Sequence, residues 1–225
     1  MGAETSYDMR PSLISWSGGK DSYLACKRAV DRGALPKVLL NVMNEHGDRS
    51  RSHGIPREVL AAQANCLRAD IRFIESTWEA YEERFIEKLK QLRSEYDVTQ
   101  AIYGDIDIQS HRDWEEKVSV AAGLQALLPI WQEGRLDLVK EMISVGIKPL
   151  IVSCQKSLAD HLLGKVITAE MLPLFEELGI DACGENGEYH TLVIDGPLHH
   201  KTLEVTLGDR QDHGHYSFLN LSLKT

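Results

Sequence analysis

Short apolar runs alternate with helical stretches along the first half of the chain. The apolar runs occupy residues 12–16, 38–43, 71–74 and 101–103. After the third run, apolar side chains recur every three or four positions, at Tyr81, Phe85, Leu89, Leu92 and Tyr96. This spacing is typical of a helix with one buried face. Strands that alternate with helices of this length predict a parallel sheet covered on both faces, so we expect a doubly wound α/β fold.

Three further helices complete the prediction for this half. Helix-forming residues extend over 21–30, from Pro56 to Leu67, and from about Arg112 to Ala122. Proline suits the first turn of a helix because its missing N–H would have no partner there.

The second half continues the alternation but ends differently. An apolar run at 127–131 is followed by a helix at 136–145, a strand at 149–153 and a helix at 169–178. Near the end, apolar residues alternate with polar ones, at Leu203, Val205, Leu207, Leu219, Leu221 and Leu223. The polar segment 208–214 lies between these two series, which predicts an antiparallel hairpin. We expect an N-terminal domain over 1–124 and a smaller C-terminal α/β domain over 125–225.

Composition narrows the class of protein. The 225 residues include 25 Lys and Arg against 34 Asp and Glu, a net charge of −9, which disfavours extended contacts with nucleic acid. No stretch approaches the ~20 apolar residues of a membrane span, and we see no secretory signal, so we expect a cytoplasmic protein without membrane contacts. The cysteines form no C-x-x-C pair, so we expect them to be buried as small apolar residues. The start, Met1–Ser6, fits the template for N-myristoylation but lacks nearby basic residues, and we expect a disordered tail.

The strongest local motif is Ser17-Gly18-Gly19-Lys20-Asp21-Ser22, between the first predicted strand and the first predicted helix. Free N–H groups and the helix dipole make such a junction an anion site, and glycines let the backbone approach a phosphate closely. The motif is not a Walker A loop, because Asp21 stands where Ser or Thr is required, and it also fails G-x-G-x-x-G. We interpret it as a phosphate loop. The alternative is a glycine turn capped by Ser17 or Asp21.

This motif after a first strand resembles the pyrophosphate loop of the PP-loop ATPases. Enzymes of that class cleave ATP between its α and β phosphates, adenylate a carboxylate or carbonyl oxygen, and release pyrophosphate. The resemblance implies that Lys20 adds positive charge and that the pyrophosphate portion of ATP is held by Ser17, Gly18, Gly19, Asp21 and Ser22.

A second polar cluster lies at 183–191, with the sequence Cys-Gly-Glu-Asn-Gly-Glu-Tyr-His-Thr. Its candidate catalytic residues are Glu185, Asn186, Glu188, His190 and Thr191. Carboxylates, an amide and an imidazole in a glycine-permitted loop can bind ammonia, orient a cationic substrate or accept protons. The alternative is a solvated turn before a strand.

Together the two motifs resemble the diphthine-ammonia ligase family over nearly the whole chain. The second hallmark of that family, Gly-Glu-x-Gly-Glu-[Tyr or Phe]-x-Thr, matches residues 184–191. In that family ATP and ammonia convert the carboxylate of diphthine, a modified histidine of translation elongation factor 2, into an amide. The resemblance implies adenylation of a carboxylate with ATP and Mg²⁺, attack by ammonia, and release of AMP and pyrophosphate. It also implies substrate contacts at Gly184 and Gly187, and it assigns no metal ligands.

The stretch from Gly104 to Trp114 departs from the diphthamide branch. It carries Asp107 and His111, whereas that branch has a Tyr-Gln-Arg segment shortly after Gly-Asp-Ile. The sequence of this stretch is more similar to that of a subgroup associated with cobalamin metabolism. That similarity implies the same adenylation chemistry with a different acceptor. Asp107 or Ser110 could cap the helix, while Asp105 and Asp107 could assist Mg²⁺ or only favour the helix dipole.

Several of these residues are expected to share one site. Ligands of open α/β sheets bind at the carboxyl ends of strands, which places the stretch after the fourth strand beside the phosphate loop. We therefore expect Gly104 to contact the nucleotide, Asp105 to act in catalysis, and Asp107 and His111 to contact the substrate. His53, after the second strand, lies near the nucleotide or is an exposed loop histidine.

Three functions are left open by the sequence. The first is an amide ligase with diphthine as acceptor, the second a PP-loop ATPase that acts on a small carboxylate, and the third a nucleotide sensor without turnover. Sulfur transfer to tRNA is disfavoured by the missing C-x-x-C pair and by the acidic charge. Formation of a homo-oligomer is left open as well.

Overall fold

The first of two β-sheets is parallel and has five strands. The computed structural model describes residues 10–77 and 79–224, so the predicted tail Met1–Ser6 lies outside the described residues. The strands are β1 (Pro11–Ser15), β2 (Leu35–Met43), β3 (Asp70–Glu75), β4 (Gln100–Ile102) and β5 (Gln125–Leu127). Their order is β3-β2-β1-β4-β5, so the direction of winding reverses between β1 and β4. Open α/β sheets bind ligands at such a reversal, outside the carboxyl ends of the strands.

Helices cover both faces of this sheet. They are α1 (Lys20–Asp31), α2 (Arg57–Cys66), α3 (Tyr81–Tyr96) and α4 (Gln109–Ala122). Successive residues of a strand point to opposite faces. Ile14 of β1 packs with Leu24 of α1, and the preceding Leu13 packs with Phe85 and Leu89 of α3. The doubly wound α/β prediction is confirmed.

The second sheet is antiparallel and has four strands. They are β6 (Lys148–Gln155), β7 (Tyr189–Asp195), β8 (Val205–His213) and β9 (Tyr216–Leu223), in the order β7-β6-β9-β8. The helices of this half are α5 (Arg135–Ser144), α6 (Ala159–Leu162) and α7 (Leu172–Glu177), with short 3₁₀ turns at Lys156–Leu158 and Ala169–Met171.

Some boundaries differ from the prediction. Helix α4 begins at Gln109 rather than near Arg112, because the N–H groups of His111 and Arg112 already bond back to the carbonyl of Ile108. The single helix predicted over 169–178 is a 3₁₀ turn followed by α7. Of the apolar run 127–131, only Leu127 lies in a strand.

The tail hairpin is confirmed, but its turn is tighter than the sequence predicts. Residues 208–213, predicted as a polar link, continue β8, because Arg210 to His213 pair with β9 after a register shift. The chain reverses at Gly214, whose φ of +56° favours glycine.

The strands of the first sheet lie within residues 11–127 and those of the second within residues 148–223, and the predicted division into domains at 124 and 125 stays a prediction. Strand β5 pairs with β4, so residues 125–127 belong with the first sheet, although the division at 124 and 125 assigns them to the second domain. The division of the chemistry between the two parts stays a prediction. All four cysteines are buried and free, as expected. In the part of the chain that the structure describes, no helix is both long and apolar enough to span a membrane.

Candidate active site

The phosphate loop joins β1 to α1 beside the winding reversal. The hydroxyls of Ser17 and Ser22 lie 3.0 Å apart, and the N–H of Gly19 donates to Oγ of Ser17 at 3.2 Å. The hydroxyl of Ser22 also contacts the carbonyl oxygen of Gly19 at 3.1 Å. These bonds hold the loop around the N-terminus of α1, where free N–H groups and the helix dipole favour an anion.

Glycine is required at two positions of this loop. Gly18 has a φ of +83°, a conformation that side chains disfavour. A Cβ on Gly19 would lie 2.5 Å from Cε1 of His53 and 3.1 Å from the carbonyl oxygen of Thr191. The loop backbone, His53 and β7 therefore line one narrow space.

Gly104, at the end of β4, is also a site of close approach. A Cβ at this position would lie 2.7 Å from the backbone nitrogen of Ser22. A side chain there would push β4 away from the first turn of α1. The structure thus gives Gly104 a packing function, and its predicted contact with the nucleotide stays a prediction.

Lys20 supplies a buried positive charge directly behind the loop. It is 3% exposed, its Nζ lies 2.8 Å from Oδ2 of Asp21, and it also lies 5.4 Å from the centre of the Tyr189 ring. Burial alone lowers the pKa of Lys20, but the negative charge of Asp21, together with smaller contributions from Tyr189, Cys183 and Glu185, raises it above its ordinary value. Lys20 is therefore a permanent cation at neutral pH. The other oxygen of Asp21, Oδ1, is buried and has no hydrogen-bond partner among the described residues.

The second motif faces the phosphate loop. Residues 189–191, predicted as part of a loop, form the start of β7 because they pair with β6. Oγ1 of Thr191 accepts a hydrogen bond from the backbone N–H of Lys20 at 3.0 Å. The backbone N–H of Val193 donates to the carbonyl of Gly18 at 2.9 Å. The structure thus brings the two predicted motifs together.

Two histidines stack beside Gly19. The rings of His53 and His190 lie 4.7 Å apart at an angle of 26°, and Nδ1 of His53 lies 2.8 Å from the carbonyl oxygen of Thr191. Burial lowers the pKa of His53 to about 3, and the charge of His190 adds to this effect. Burial and the charge of Lys20 lower the pKa of His190 to about 4. Both rings are therefore neutral at pH 7, and they narrow the entrance to the phosphate loop.

Glu188 is engaged within its own loop. Its Oε1 accepts hydrogen bonds from the backbone N–H of Asp181 at 3.0 Å and from Nδ2 of Asn186 at 3.2 Å, and its Oε2 accepts one from the N–H of Asn186 at 3.0 Å. Gly184 and Gly187, with φ of +74° and +81°, make the turn that these bonds close. This geometry makes Glu188 a positioning residue and the two glycines turn formers. Their predicted catalytic and substrate roles stay predictions.

Glu185 is the carboxyl of this loop that is suited to proton transfer. Burial and the charge of Asp21 raise the pKa of Glu185 to about 7, and Asp105 adds to the effect. Asp21, Asp105 and Glu185 are therefore near enough to one another for their charges to interact. A carboxyl with a pKa near the working pH is well matched to general acid or base catalysis.

The loop between β4 and α4 supplies two ion pairs. Oδ1 of Asp105 lies 2.7 Å from Nδ1 of His111. Asp107 accepts a pair of hydrogen bonds from Nε and Nη2 of Arg135, each at 2.8 Å. Neither aspartate caps α4 by a side-chain hydrogen bond. Trp114 packs against Tyr81 and Phe85, which agrees with a core role.

Arg135 is a site residue that the sequence analysis missed. Besides Asp107 it contacts Oδ2 of Asp181 at 3.0 Å and Oδ1 of Asn186 at 3.4 Å, so it joins the β4–α4 loop to the second motif. Arginine is the first residue of α5, where the helix dipole disfavours a positive charge. A positive charge at this unfavourable helix position is the signal in the sequence that points to Arg135.

The residues present fit a nucleotide. The glycine-containing loop leads into the N-terminus of α1, where the helix dipole favours an anion, and the buried Lys20 supplies the charge that a pyrophosphate requires. Among residues 10–77 and 79–224, no group of three or more His, Cys, Asp or Glu side chains is arranged to hold a metal ion.

Comparisons with known proteins point to one family. Residues 9–126 match the model of the diphthamide synthase N-terminal domain, and residues 135–224 match that of the diphthamide synthase C-terminal domain. The chain is 26% identical to the diphthine--ammonia ligase of Danio rerio, over 90% of this chain and 89% of that protein. It is 26% identical to the protein of the same name from Schizosaccharomyces pombe, over 92% of this chain and 38% of that protein.

The mammalian relatives match over a shorter region. The diphthine--ammonia ligase of Mus musculus is 33% identical over 60% of this chain, and the chain spans about half of its length, 53%. Among solved structures, a predicted subunit of tRNA methyltransferase from Methanocaldococcus jannaschii aligns with a TM-score of 0.45 and 16% identity, over 84% of this chain and 98% of that one.

Proposed function

Because the chain belongs to the diphthamide synthase family, we propose that it is an ATP-dependent ligase that converts a carboxylate into an amide with ammonia. We propose diphthine of elongation factor 2 as the carboxylate, because the relatives are named diphthine--ammonia ligases. The observation that carries the proposal is the contact between the two motifs. The phosphate loop and the polar segment 184–191 meet at the hydrogen bond between Lys20 and Thr191.

ATP would bind with its pyrophosphate portion in the loop of residues 17–22. The N–H groups at the start of α1 and the buried ammonium of Lys20 would hold these phosphates, and the neutral rings of His53 and His190 would line the entrance. Mg²⁺ usually binds through phosphates and one or two carboxylates, and Oδ1 of Asp21, which is buried without a partner, suits that role. When bound, the ion would neutralise phosphate charge.

The chemistry begins at the acceptor carboxylate, whose oxygen is a poor leaving group. That oxygen attacks the α phosphorus of ATP, the bond to the β phosphate oxygen breaks, and pyrophosphate leaves. The loop and Lys20 stabilise the negative charge on the departing pyrophosphate. The product of this step is an acyl adenylate and pyrophosphate.

Ammonia then attacks the acyl carbon, and AMP leaves with one oxygen of the original carboxylate. The attacking nitrogen must lose a proton, and Glu185 is the acceptor that the geometry favours, since its pKa of about 7 leaves it partly deprotonated at neutral pH. Asp21 and Asp105, whose charges interact with that of Glu185, add negative charge that favours a cationic nitrogen.

A test is nucleotide product analysis with the purified chain, Mg²⁺-ATP and ammonium. One sample contains elongation factor 2 bearing diphthine, and the control contains the same factor with an unmodified histidine. We expect AMP, pyrophosphate and amidated factor only in the first sample. If AMP forms only with a small carboxylate, that carboxylate replaces diphthine as the acceptor. If ATP binds but no AMP forms under any condition, the chain acts as a nucleotide sensor.

The acceptor would be met in the cytoplasm, where translation takes place. We therefore also propose a cytoplasmic location for the reaction.

A further inference from the structure

Glu115 is a carboxyl on the buried face of α4, and the chemistry described above does not use it. It is 5% exposed, and the other buried residues of the helix, Val118, Ser119 and Ala122, follow it at helical spacing. An apolar side chain is the usual occupant of such a position. A carboxyl there needs a specific partner, because a buried polar group without a hydrogen bond is costly.

The partner of Glu115 is Asp105, one of the three neighbouring carboxyls whose charges interact. The Glu115 carboxyl lies within hydrogen-bonding distance of Asp105, and Oε2 of Glu115 receives no hydrogen bond from the described N–H and O–H groups. Two carboxylates in contact cannot both be ionised cheaply, so one of them carries a proton that joins the two.

The proton belongs to Glu115 rather than to Asp105. Burial and the neighbouring Asp105 together raise the pKa of Glu115 to about 11. The Asp105 side chain is 27% exposed and also contacts the imidazole of His111 at 2.7 Å. Water and His111 can therefore stabilise a negative charge on Asp105, whereas the surroundings of Glu115 cannot.

Helical spacing places both neighbours of Asp105 on one face of α4. His111 and Glu115 are four residues apart, which brings their side chains together on the helix surface. Asp105 comes just before the helix and lies against this pair. The Asp105 side chain thus contacts the carboxyl of Glu115 and the imidazole of His111.

We propose that Glu115 is a positioning residue, a neutral carboxylic acid that donates a hydrogen bond to Asp105 and fixes its orientation near Asp21 and Glu185. The hydrogen bond itself is independent of the reaction, whereas its effect on turnover rests on the proposed ligase function. Glu115 touches no substrate in this account and acts only through Asp105.

The first test observes the proton directly in the free protein at pH 9, where Glu185, with a pKa of about 7, is deprotonated and Glu115, with a pKa of about 11, keeps its proton. With glutamate labelled by ¹³C at the side-chain carboxyl, the infrared spectrum should contain a protonated carboxyl band that is lost in Glu115→Gln. The band should shift in Asp105→Asn, because the acceptor changes from a carboxylate to an amide. Glu116→Gln is the matched control: its carboxylate pairs with Arg112 at 2.7 Å on the surface, and removing it should leave the band unchanged.

The second test measures turnover in the same variants. Glu115→Gln should keep kcat within about 3-fold of the original protein, because its amide N–H still donates to Asp105. Glu115→Leu should lower kcat by about 10- to 100-fold, the effect expected from losing one hydrogen bond to a charged group, with KM for ATP and Tm little changed. Glu116→Gln should match the original protein.

Either test can overturn the inference. Absence of the protonated band at pH 9, a band at pH 9 that Glu115→Gln retains, or a Glu115→Leu variant as active as Glu116→Gln would each contradict it. If the original protein forms no AMP with any acceptor, the proposed function fails, and the infrared bands alone decide whether Glu115 donates to Asp105.

Discussion

The backbone N–H of Lys20 donates a 3.0 Å hydrogen bond to the hydroxyl of Thr191, across 171 positions of sequence. Lys20 is the first residue of α1, and its N–H has no partner within the helix. No side chain of the loop caps α1, so Thr191 of β7 takes the place of a capping residue. The bond fixes the phosphate loop against the second sheet.

Thr191→Val should reveal the contribution of this bond. Valine keeps the shape of threonine but leaves the buried N–H of Lys20 without an acceptor, so the free energy of unfolding should fall by about 1–3 kcal/mol. Thr191→Ser retains the hydroxyl and should cost clearly less. Urea denaturation of both variants measures the difference, and equal losses would contradict the role of the hydroxyl.

Gly19→Ala should block the phosphate loop. The added Cβ would lie 2.5 Å from Cε1 of His53, so the ring or the loop must move out of position. We expect the Kd for ATP to rise at least tenfold, which corresponds to about 1.4 kcal/mol. Titration calorimetry with ATP measures this. Gly208→Ala is the control, because its Cβ would meet Asn220 at 3.3 Å on the exposed hairpin, and ATP affinity should not change.

Arg135→Lys should separate binding of the acceptor from binding of ATP. Lysine cannot reproduce the paired hydrogen bonds to Asp107 while it also contacts Asp181. The loops that carry Asp107 and Asn186 should then lose their common anchor, and KM for the acceptor should rise by about tenfold, the loss of a charge-assisted hydrogen bond. Steady-state kinetics should show an unchanged KM for ATP. Arg210→Lys, in a surface pair with Asp160 and Asp212, should change neither constant.

The pKa of about 7 for Glu185 predicts a pH dependence. A general base must be deprotonated, so the rate at saturating ATP should rise as the pH passes through about 7 and level off above it. Free ammonia also increases with pH, so the total ammonium must be adjusted to hold its concentration constant. Glu185→Gln should be slow and should lose the rise. A rate that rises equally in both proteins would exclude Glu185 as the base.

The two stacked histidines predict a loss of stability in acid. The pKa values of His53 and His190 are lowered to about 3 and about 4, whereas in the unfolded chain both rings take up protons below about 6.5. The unfolded state therefore binds more protons as the pH falls from 6.5 towards 4, and stability decreases over this window. Because the rings are partly exposed, we expect a modest loss of about 1–2 kcal/mol between pH 7 and pH 5.

A double variant isolates that effect from the titration of carboxylates. His53→Asn with His190→Phe should show a smaller loss of stability between pH 7 and pH 5 than the original protein. His46→Gln is the control, because the His46 side chain is 77% exposed and should not alter the dependence. Equal losses in all three proteins would contradict the assignment of neutral histidines.

Periodicity and glycine spacing predicted most of the fold and the place of the phosphate loop. The apolar series from Tyr81 to Tyr96 matches α3, because helical geometry alone places residues at this spacing on one face. The place of Gly104 beside the phosphate loop was also predicted, since ligands of open α/β sheets bind at the carboxyl ends of the strands. A Cβ on Gly104 would lie 2.7 Å from the backbone nitrogen of Ser22. In contrast, residues 189–191 pair with β6, and their strand conformation depends on a partner about 40 positions away in sequence.

Residues whose partners are distant in sequence were missed. Arg135 acts through residues 28, 46 and 51 positions away, and no motif surrounds it. Glu115 looks like an ordinary charge of a helix until burial and the neighbouring Asp105 are known. Glu188 looks like a free carboxylate in the sequence, whereas local hydrogen bonds engage both of its oxygens, and its catalytic role stays a prediction.

Attack of the acceptor carboxylate on the α phosphorus of ATP is the first step of the proposed reaction. It can be followed with elongation factor 2 whose diphthine carboxylate carries ¹⁸O, by mass analysis of the nucleotide products formed with ATP and ammonium. We expect one ¹⁸O atom in AMP and none in pyrophosphate. Unlabelled AMP, or ¹⁸O in inorganic phosphate with ADP as the nucleotide product, would contradict it.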